Sequence, residues 1–206
     1  MHIGGTDFDR LLSIATLMPF LGLNSRLKTK GMNAPSWYFS DLSTWHRINF
    51  LYDSRVLTEI RGVRRDSAEP EKIERLLRVL EQRLGHDLLG RVEKAKIELS
   101  DAAVTRIALA DLAENLALEI KRERFEAAIA DNLARIEGRV LDVLRLAGLR
   151  VGDVRTVFLT GGTSGVPAVR AAIARAVPAA KMVTGDAFGS VATGLAIDAQ
   201  RKFGRA

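Results

Sequence analysis

The chain has 206 residues, 47% of them hydrophobic, with 31 Lys and Arg against 25 Asp and Glu for a formal net charge of +6. Such a chain can bury a sizeable core in one domain or two subdomains, which excludes a disordered polymer, and no apolar run approaches the ~20 residues of a membrane span. It has no cysteine, which excludes disulfides and thiolate metal sites and fits a reducing, cytoplasmic compartment.

Asp7 to about Pro19 has the apolar spacing of a helix, through Leu11, Leu12, Ile14 and Leu17. Gly22 to Pro35 is polar and broken by Gly31, Asn33 and Pro35, which predicts a loop. The stripe Trp37, Phe39, Leu42, Trp45, Ile48, Leu51, Val56 and Leu57 predicts one helix from Ser36 to about Ile60, with both tryptophans packed in the core or between helices. Arg61 to Glu71 reads as a charged loop, and Ile73 to Val92 as the apolar face of a long helix ending near Leu99. Gly85 and Gly90 inside that helix predict a kink or a close neighbour.

Val104–Ala110 and Leu116–Ile120 alternate, and with Asp111–Asn115 between them they predict a hairpin. An amphipathic helix follows from Glu123 to Ala147, through Phe125, Ile129, Leu133, Ile136, Val140, Leu141 and Leu144, closed by Gly148. Then come a strand at Val154–Thr160, a Gly-Gly turn, a helix at Val166–Ala176 with Pro167 in its first turn, a strand at Lys181–Thr184 and a last helix from about Phe188 to Lys202. Strand, helix, strand and helix in that order predict parallel pairing.

The turn is the most informative stretch. A buried strand that stops at Gly161 and Gly162 lets a ligand approach bare backbone, and the next helix offers free N–H groups and a positive dipole end, which suits a phosphate or nucleoside. A shorter echo, Ile3-Gly4-Gly5-Thr6-Asp7-Phe8-Asp9, opens the chain. There Asp9 can favour the helix dipole, and Asp7 can reach a metal-bound water. Gly162-Thr163-Ser164-Gly165 is not a hydrolase elbow, because Val166 stands where a second glycine is needed, and no Gly-Lys-Ser/Thr triplet marks a Walker A loop.

Glu93, Lys96 and Ser100 share a helix face, which on spacing alone predicts a surface salt bridge and a terminal cap. The three histidines, His2, His46 and His86, have no metal-ligand spacing. Acids and bases alternate along the helices, which argues against a nucleic-acid face despite the excess at Arg61, Arg64 and Arg65.

Four motifs in order carry a resemblance that spans the chain: Ile3-Gly4-Gly5-x-Asp7-Phe8-Asp9; Glu93-Lys94-Ala95-Lys96-x-x-Leu99-Ser100; Leu159-Thr160-Gly161-Gly162-Thr163-Ser164-x-Val166-Pro167; and Gly185-Asp186 with Gly194-Leu195-Ala196. Together they resemble the seventy-kilodalton heat-shock chaperones, DnaK-type ATPases. Tyr38–Phe50 and Phe188–Gly194 look closer to the YegD-type branch. The resemblance implies an α/β fold, the second lobe of an actin-like (ribonuclease H-like) ATPase: a partial sheet from residues 1–22 and 122–206, with a helix-rich subdomain and small hairpin inserted at 23–121.

It further implies ATP or ADP with Mg²⁺ as ligand. Gly4, Gly5 and Thr6 would lie in the second phosphate loop, with Asp7 near the magnesium shell through water. Glu93, Lys96 and Ser100 would face ribose and adenine. Gly161, Gly162, Thr163 and Gly165 would form the adenosine turn, and Asp186 would sit in the second connecting segment.

Two departures stand out. Ile97 and Gly165 occupy positions where the family carries adenine-stacking arginines, so weaker or less base-selective binding is expected. The first lobe, with the first phosphate loop and catalytic lysine, does not precede Gly4. The expectation is therefore one piece of a longer protein, with no catalytic residue of its own and no hydrolysis alone. Its partners would be adenine nucleotide, the first lobe, and a client or co-chaperone, with no membrane. The competing expectation is an actin-fold interaction module that has lost nucleotide binding.

Overall fold

The computed structural model describes residues 3–29, 31–113, 115–185 and 189–204. The chain divides into two units, Thr6–Ile129 and Met1–Gly5 with Ala130–Ala206.

Five helices and a hairpin build the unit Thr6–Ile129: α1 (Gly5–Phe20), α2 (Ser36–Leu42), α3 (Ser54–Asp66), α4 (Pro70–Glu81), α5 (Gly85–Glu98), β1 (Val104–Ala108) and β2 (Ala117–Lys121). The first residues of α6 (Arg122–Leu146) belong to it as well. Its core holds Phe8, Leu12, Tyr38, Phe39, Ile48, Ile73, Val92 and Phe125, all buried. Phe8 meets Phe125 edge-on at 6.3 Å between ring centroids.

Pro19 has no N–H to give the carbonyl of Ala15, and Arg124 Nη2 donates to that carbonyl instead at 3.3 Å. At the end of α1, the Arg75 guanidinium stacks 4.0 Å from the centroid of the Phe20 ring.

The predicted helix from Ser36 to Ile60 is broken. Ser43 Oγ and Thr44 Oγ1 donate back to the carbonyls of Phe39 at 2.7 Å and Ser40 at 2.8 Å, which competes with helix continuation. A 3-10 turn covers Ile48–Tyr52. Asp53, in extended backbone, then caps α3 by accepting the Arg55 amide at 2.7 Å. The break also corrects the tryptophan expectation: Trp37 and Trp45 do not lie on one continuous face, and they are 40% and 44% exposed.

Arg61, Arg64 and Arg65 lie on α3 and not in a loop. Arg61 pairs with Glu81 at 2.7 Å and Arg64 pairs with Glu74, so this excess is balanced by acids of α4.

The predicted long helix is likewise two helices, separated where Arg83 takes φ +56°. Gly85 opens α5 against close neighbours: a Cβ there would lie 2.7 Å from Ile48 Cγ2, 2.9 Å from the Tyr52 hydroxyl and 3.1 Å from Leu42 Cδ1. Gly90 has open space where its Cβ would be, so only Gly85 meets the expected close neighbour.

The hairpin forms as expected. β1 pairs antiparallel with β2, Ile107 opposite Leu118, and the alternation sends Thr105, Ile107 and Ile120 to the buried side.

In the other unit, β3 (Thr156–Leu159) pairs parallel with β4 (Lys181–Thr184), joined through α7 (Pro167–Ala176), and α8 (Ser190–Phe203) ends the described chain. The register sets Thr156 opposite Lys181 and Leu159 opposite Thr184. This matches the predicted parallel pairing.

The expected apolar face of α6 is buried only at Phe125 and Ile129. Farther along, Leu141, Val143 and Leu146 are 42%, 62% and 78% exposed, and Phe158 on β3 is 59% exposed. A largely apolar cavity of about 370 Å³ opens between Val140, Leu144, Val157, Leu159, Val169 and Ile173.

Candidate functional site

The parallel sheet ends in glycines on both strands. β3 leads through Thr160 to Gly161, and β4 leads to Gly185, whose amide donates to the Leu159 carbonyl at 3.0 Å. The crevice at the carboxyl ends of parallel strands is where open α/β sheets hold ligands.

Gly161 takes φ +81° and ψ +153°, a conformation closed to L side chains in practice, and nothing lies within 4 Å of where its Cβ would be. Gly162–Gly165 then forms one 3-10 turn. Ser164 locks it, its hydroxyl donating to the Gly161 carbonyl at 2.7 Å and its amide to the same oxygen at 3.1 Å. Arg170 Nε donates to the Ser164 carbonyl at 2.6 Å. Pro167 starts α7 at the position where a missing N–H costs nothing. Gly162 is exposed, and Thr163 and Gly165 are half-buried. The turn therefore has a fixed shape with its glycine backbone open.

At the other end of the sequence, Ile3 and Gly4 are irregular and Gly5 is the first residue of α1, with Asp7 in its first turn. Gly4, Gly5 and Asp7 are half-buried and Thr6 is exposed. Asp186 lies outside the described residues. Among the described residues no three His, Cys, Asp or Glu side chains come together as a metal cage.

Lys96 departs from the expectation of a surface salt bridge. It is only 9% exposed, and its Nζ lies 2.8 Å from Oδ1 of Asp9, itself 7% exposed. The pair joins α5 to the first turns of α1, a contact invisible to spacing along α5. Burial pushes the Asp9 carboxyl above its usual range, Lys96 opposes that shift, and the like charge of Glu93 adds to it. Glu93 is exposed one turn before Lys96, and Ile97 is 58% exposed.

Ser100 falls beyond the Leu99 C-cap and so is not the helix cap. A residue the sequence did not flag fixes that end: Arg122 Nε donates to the Leu99 carbonyl at 2.7 Å and its Nη2 to the Ser100 carbonyl at 3.3 Å. A cation on the last carbonyls of a helix meets both hydrogen bonding and the dipole.

Comparison with known proteins agrees with this combination. The family model "Hsp70 protein" matches residues 69–205. The chain belongs to the Hsp70 family. That match takes in Glu93, Lys96, Ser100 and the whole glycine turn, whereas Gly4 to Asp9 lie before it. Among relatives, the chain is 38% identical over 89 residues to the chaperone protein DnaK of Trichormus variabilis, covering 40% of this chain and 13% of that protein. It is 39% identical over 93 residues to DnaK of Metamycoplasma hominis, covering 42% and 16%. With the chloroplastic stromal 70 kDa heat shock-related protein of Pisum sativum it shares 33% identity over 118 residues, covering 54% and 17%. The matched segment thus spans less than a fifth of each of these relatives. Mixed α/β structure with small sheets is consistent with an Hsp70 domain. Among the described residues no helix is long and apolar enough to cross a membrane.

Proposed function

We propose that this chain is the second lobe of an actin-like ATPase domain and that it supplies adenine-nucleotide contacts to a DnaK-type chaperone, of the YegD branch by its motifs. The observation that carries the reading is the open, rigid glycine turn at the carboxyl ends of two parallel strands. In this reading Gly161, Gly162, Thr163 and Gly165 take the adenosine, and Glu93, Lys96 and Ser100 take ribose and base. Gly4, Gly5 and Thr6 take phosphate oxygens near the start of α1, where the helix dipole favours an anion. Asp186 completes the set. Residues 23–121 are the inserted subdomain, and residues 1–22 with 122–206 are the lobe core.

The chain's own residues suit a nucleotide, because bare glycine backbone and short polar side chains bind without needing a side-chain cage. A single carboxylate supplied by Asp7 suits magnesium only through water and alongside phosphate, since Mg²⁺ keeps much of its hydration shell. When bound with the nucleotide, magnesium neutralises charge on the phosphates. Asp7 orients its water, Lys96 donates to a ribose hydroxyl and Glu93 accepts from one. Chaperone activity, clients and co-chaperones belong to the longer protein in this reading.

The test is calorimetric titration of Mg-ATP and Mg-ADP into the chain and into the longer protein carrying it, each repeated with Gly162→Leu. Binding that the substitution weakens at least about tenfold supports the glycine turn as the site. Absence of binding in both proteins rejects it in favour of an interaction module. In this reading the chain alone should show no magnesium-dependent ATP turnover above the uncatalysed rate. Turnover there would reject the assignment as one lobe of a two-lobed enzyme.

A further inference from the structure

Asp9 is a buried ionisable group for which the proposed nucleotide contacts have no task. Its side chain and that of Lys96 are 10% and 11% exposed, and they meet at 2.8 Å. Replacing a buried ion pair by apolar residues is often neutral or stabilising, so stability alone does not explain this one. An ammonium carries three N–H donors, and Asp9 Oδ1 holds that of Lys96 as an ion pair at 2.8 Å. A lysine tail held this way has already lost its rotamer freedom before a ligand arrives, which is the cost that preorganisation removes from binding. Glu93, exposed on the same face of α5, is thereby left to accept hydrogen bonds of its own.

We propose that Asp9 is a positioning residue: its carboxylate fixes the Lys96 ammonium so that the remaining N–H donors meet the hydroxyls of a bound nucleotide's ribose. The proposal rests on the reading of Lys96 as a ribose contact given above, and it adds the group that aims it. Burial pushes the Asp9 carboxyl above its usual range, and the ammonium of Lys96 beside it opposes that shift.

The experiment titrates Mg-ADP and its 2′,3′-dideoxy analogue into the longer protein carrying this chain, as wild type, Lys96→Met and Asp9→Asn, with circular dichroism to establish folding. The wild type prefers ADP by about tenfold, the scale of one hydrogen bond to a charged group. Asp9→Asn, with Lys96 intact, lowers that preference to the level of Lys96→Met, which is what Glu93 alone supports. A merely structural Asp9 lowers the melting temperature and leaves the preference alone. A preference retained in Asp9→Asn but lost in Lys96→Met overturns the positioning role while the ribose contact stands. A preference absent from the wild type, or undiminished in Lys96→Met, overturns the Lys96 ribose contact and this proposal with it, as does failure of the wild type to bind either nucleotide.

If Asp9→Asn does not fold, the lysine ammonium resonances of the wild type decide. An ordered Lys96 signal in the free protein that shifts with ADP and not with the analogue supports the proposal. A freely averaged signal, or one that ADP leaves unchanged, overturns it.

Discussion

Tyr38 is fully buried while its hydroxyl donates to Glu59 Oε1 at 2.6 Å, so the phenol is pushed far above its usual range by burial first and by Glu59 second. The folded state then holds this proton at a pH where the unfolded chain releases it. Stability therefore falls as pH rises past about 10, the ordinary tyrosine pKa. Tyr38→Phe should cost about 1 kcal/mol at pH 7, since Glu59 is exposed and regains water. It should also flatten the alkaline decline, which urea denaturation at pH 7 and at pH near 11 would measure. At the same scale, Gly165 has open space at its Cβ position and Ile97 is exposed, so an arginine fits at either. Gly165→Arg should tighten Mg-ATP by roughly two- to thirtyfold through cation–π stacking on adenine. Unchanged affinity in calorimetry would reject the missing arginines as the cause of weak binding. The glycine turn was legible in the sequence because strand, turn and helix are contiguous. The Asp9–Lys96 pair was not, because its partners sit on helices far apart in the chain and nothing local marks them as neighbours.

Among the elements, local signals predicted well wherever one periodicity ran unopposed. The hairpin alternates cleanly from Val104 to Ala108 and from Ala117 to Lys121, and the parallel pair follows from strand–helix–strand order. Helix ends were harder. The apolar stripe from Trp37 to Leu57 continues through Ser43 and Thr44, whose side chains take the backbone carbonyls that would have fed the helix. Between α4 and α5 no proline marks the break; Arg83 adopts the left-handed region instead. Arg122 shows how an element boundary is fixed from outside the element. Arg122→Ala removes two charge-assisted bonds, one from buried Leu99 and one from half-buried Ser100, and should destabilise the chain by about 1–3 kcal/mol in urea. Lysine at that position should restore only part, because it lacks the planar fork.

For the whole molecule, burial is unevenly shared. Most fully buried side chains belong to Thr6–Ile129, whereas the described core of the other unit is Leu159, Val166, Val169, Ala172, Ala176 and Val177. Opening free energies follow buried apolar contact. Hydrogen exchange should thus find amides of α4 and α5 protected longest, and those of α6 beyond Ile129 and of β3 and β4 exchanging sooner as urea is raised. Equal protection throughout would show one cooperative unit. The expected division into an α/β part and a helix-rich part is read from strand–helix alternation and long amphipathic stretches that occupy different stretches of the sequence.

Gly85 carries a consequence for how this family can diverge. Its Cβ position is claimed by Ile48, Tyr52 and Leu42 together, so an alanine arising there alone collides with three side chains at once. A lineage can cross to alanine readily only after Ile48 has shortened and the Tyr52 hydroxyl has moved or been lost. In a mutational scan, Gly85→Ala should therefore be deleterious alone and its cost should shrink in an Ile48→Val or Tyr52→Phe background, making these positions a unit of inheritance and not independent sites.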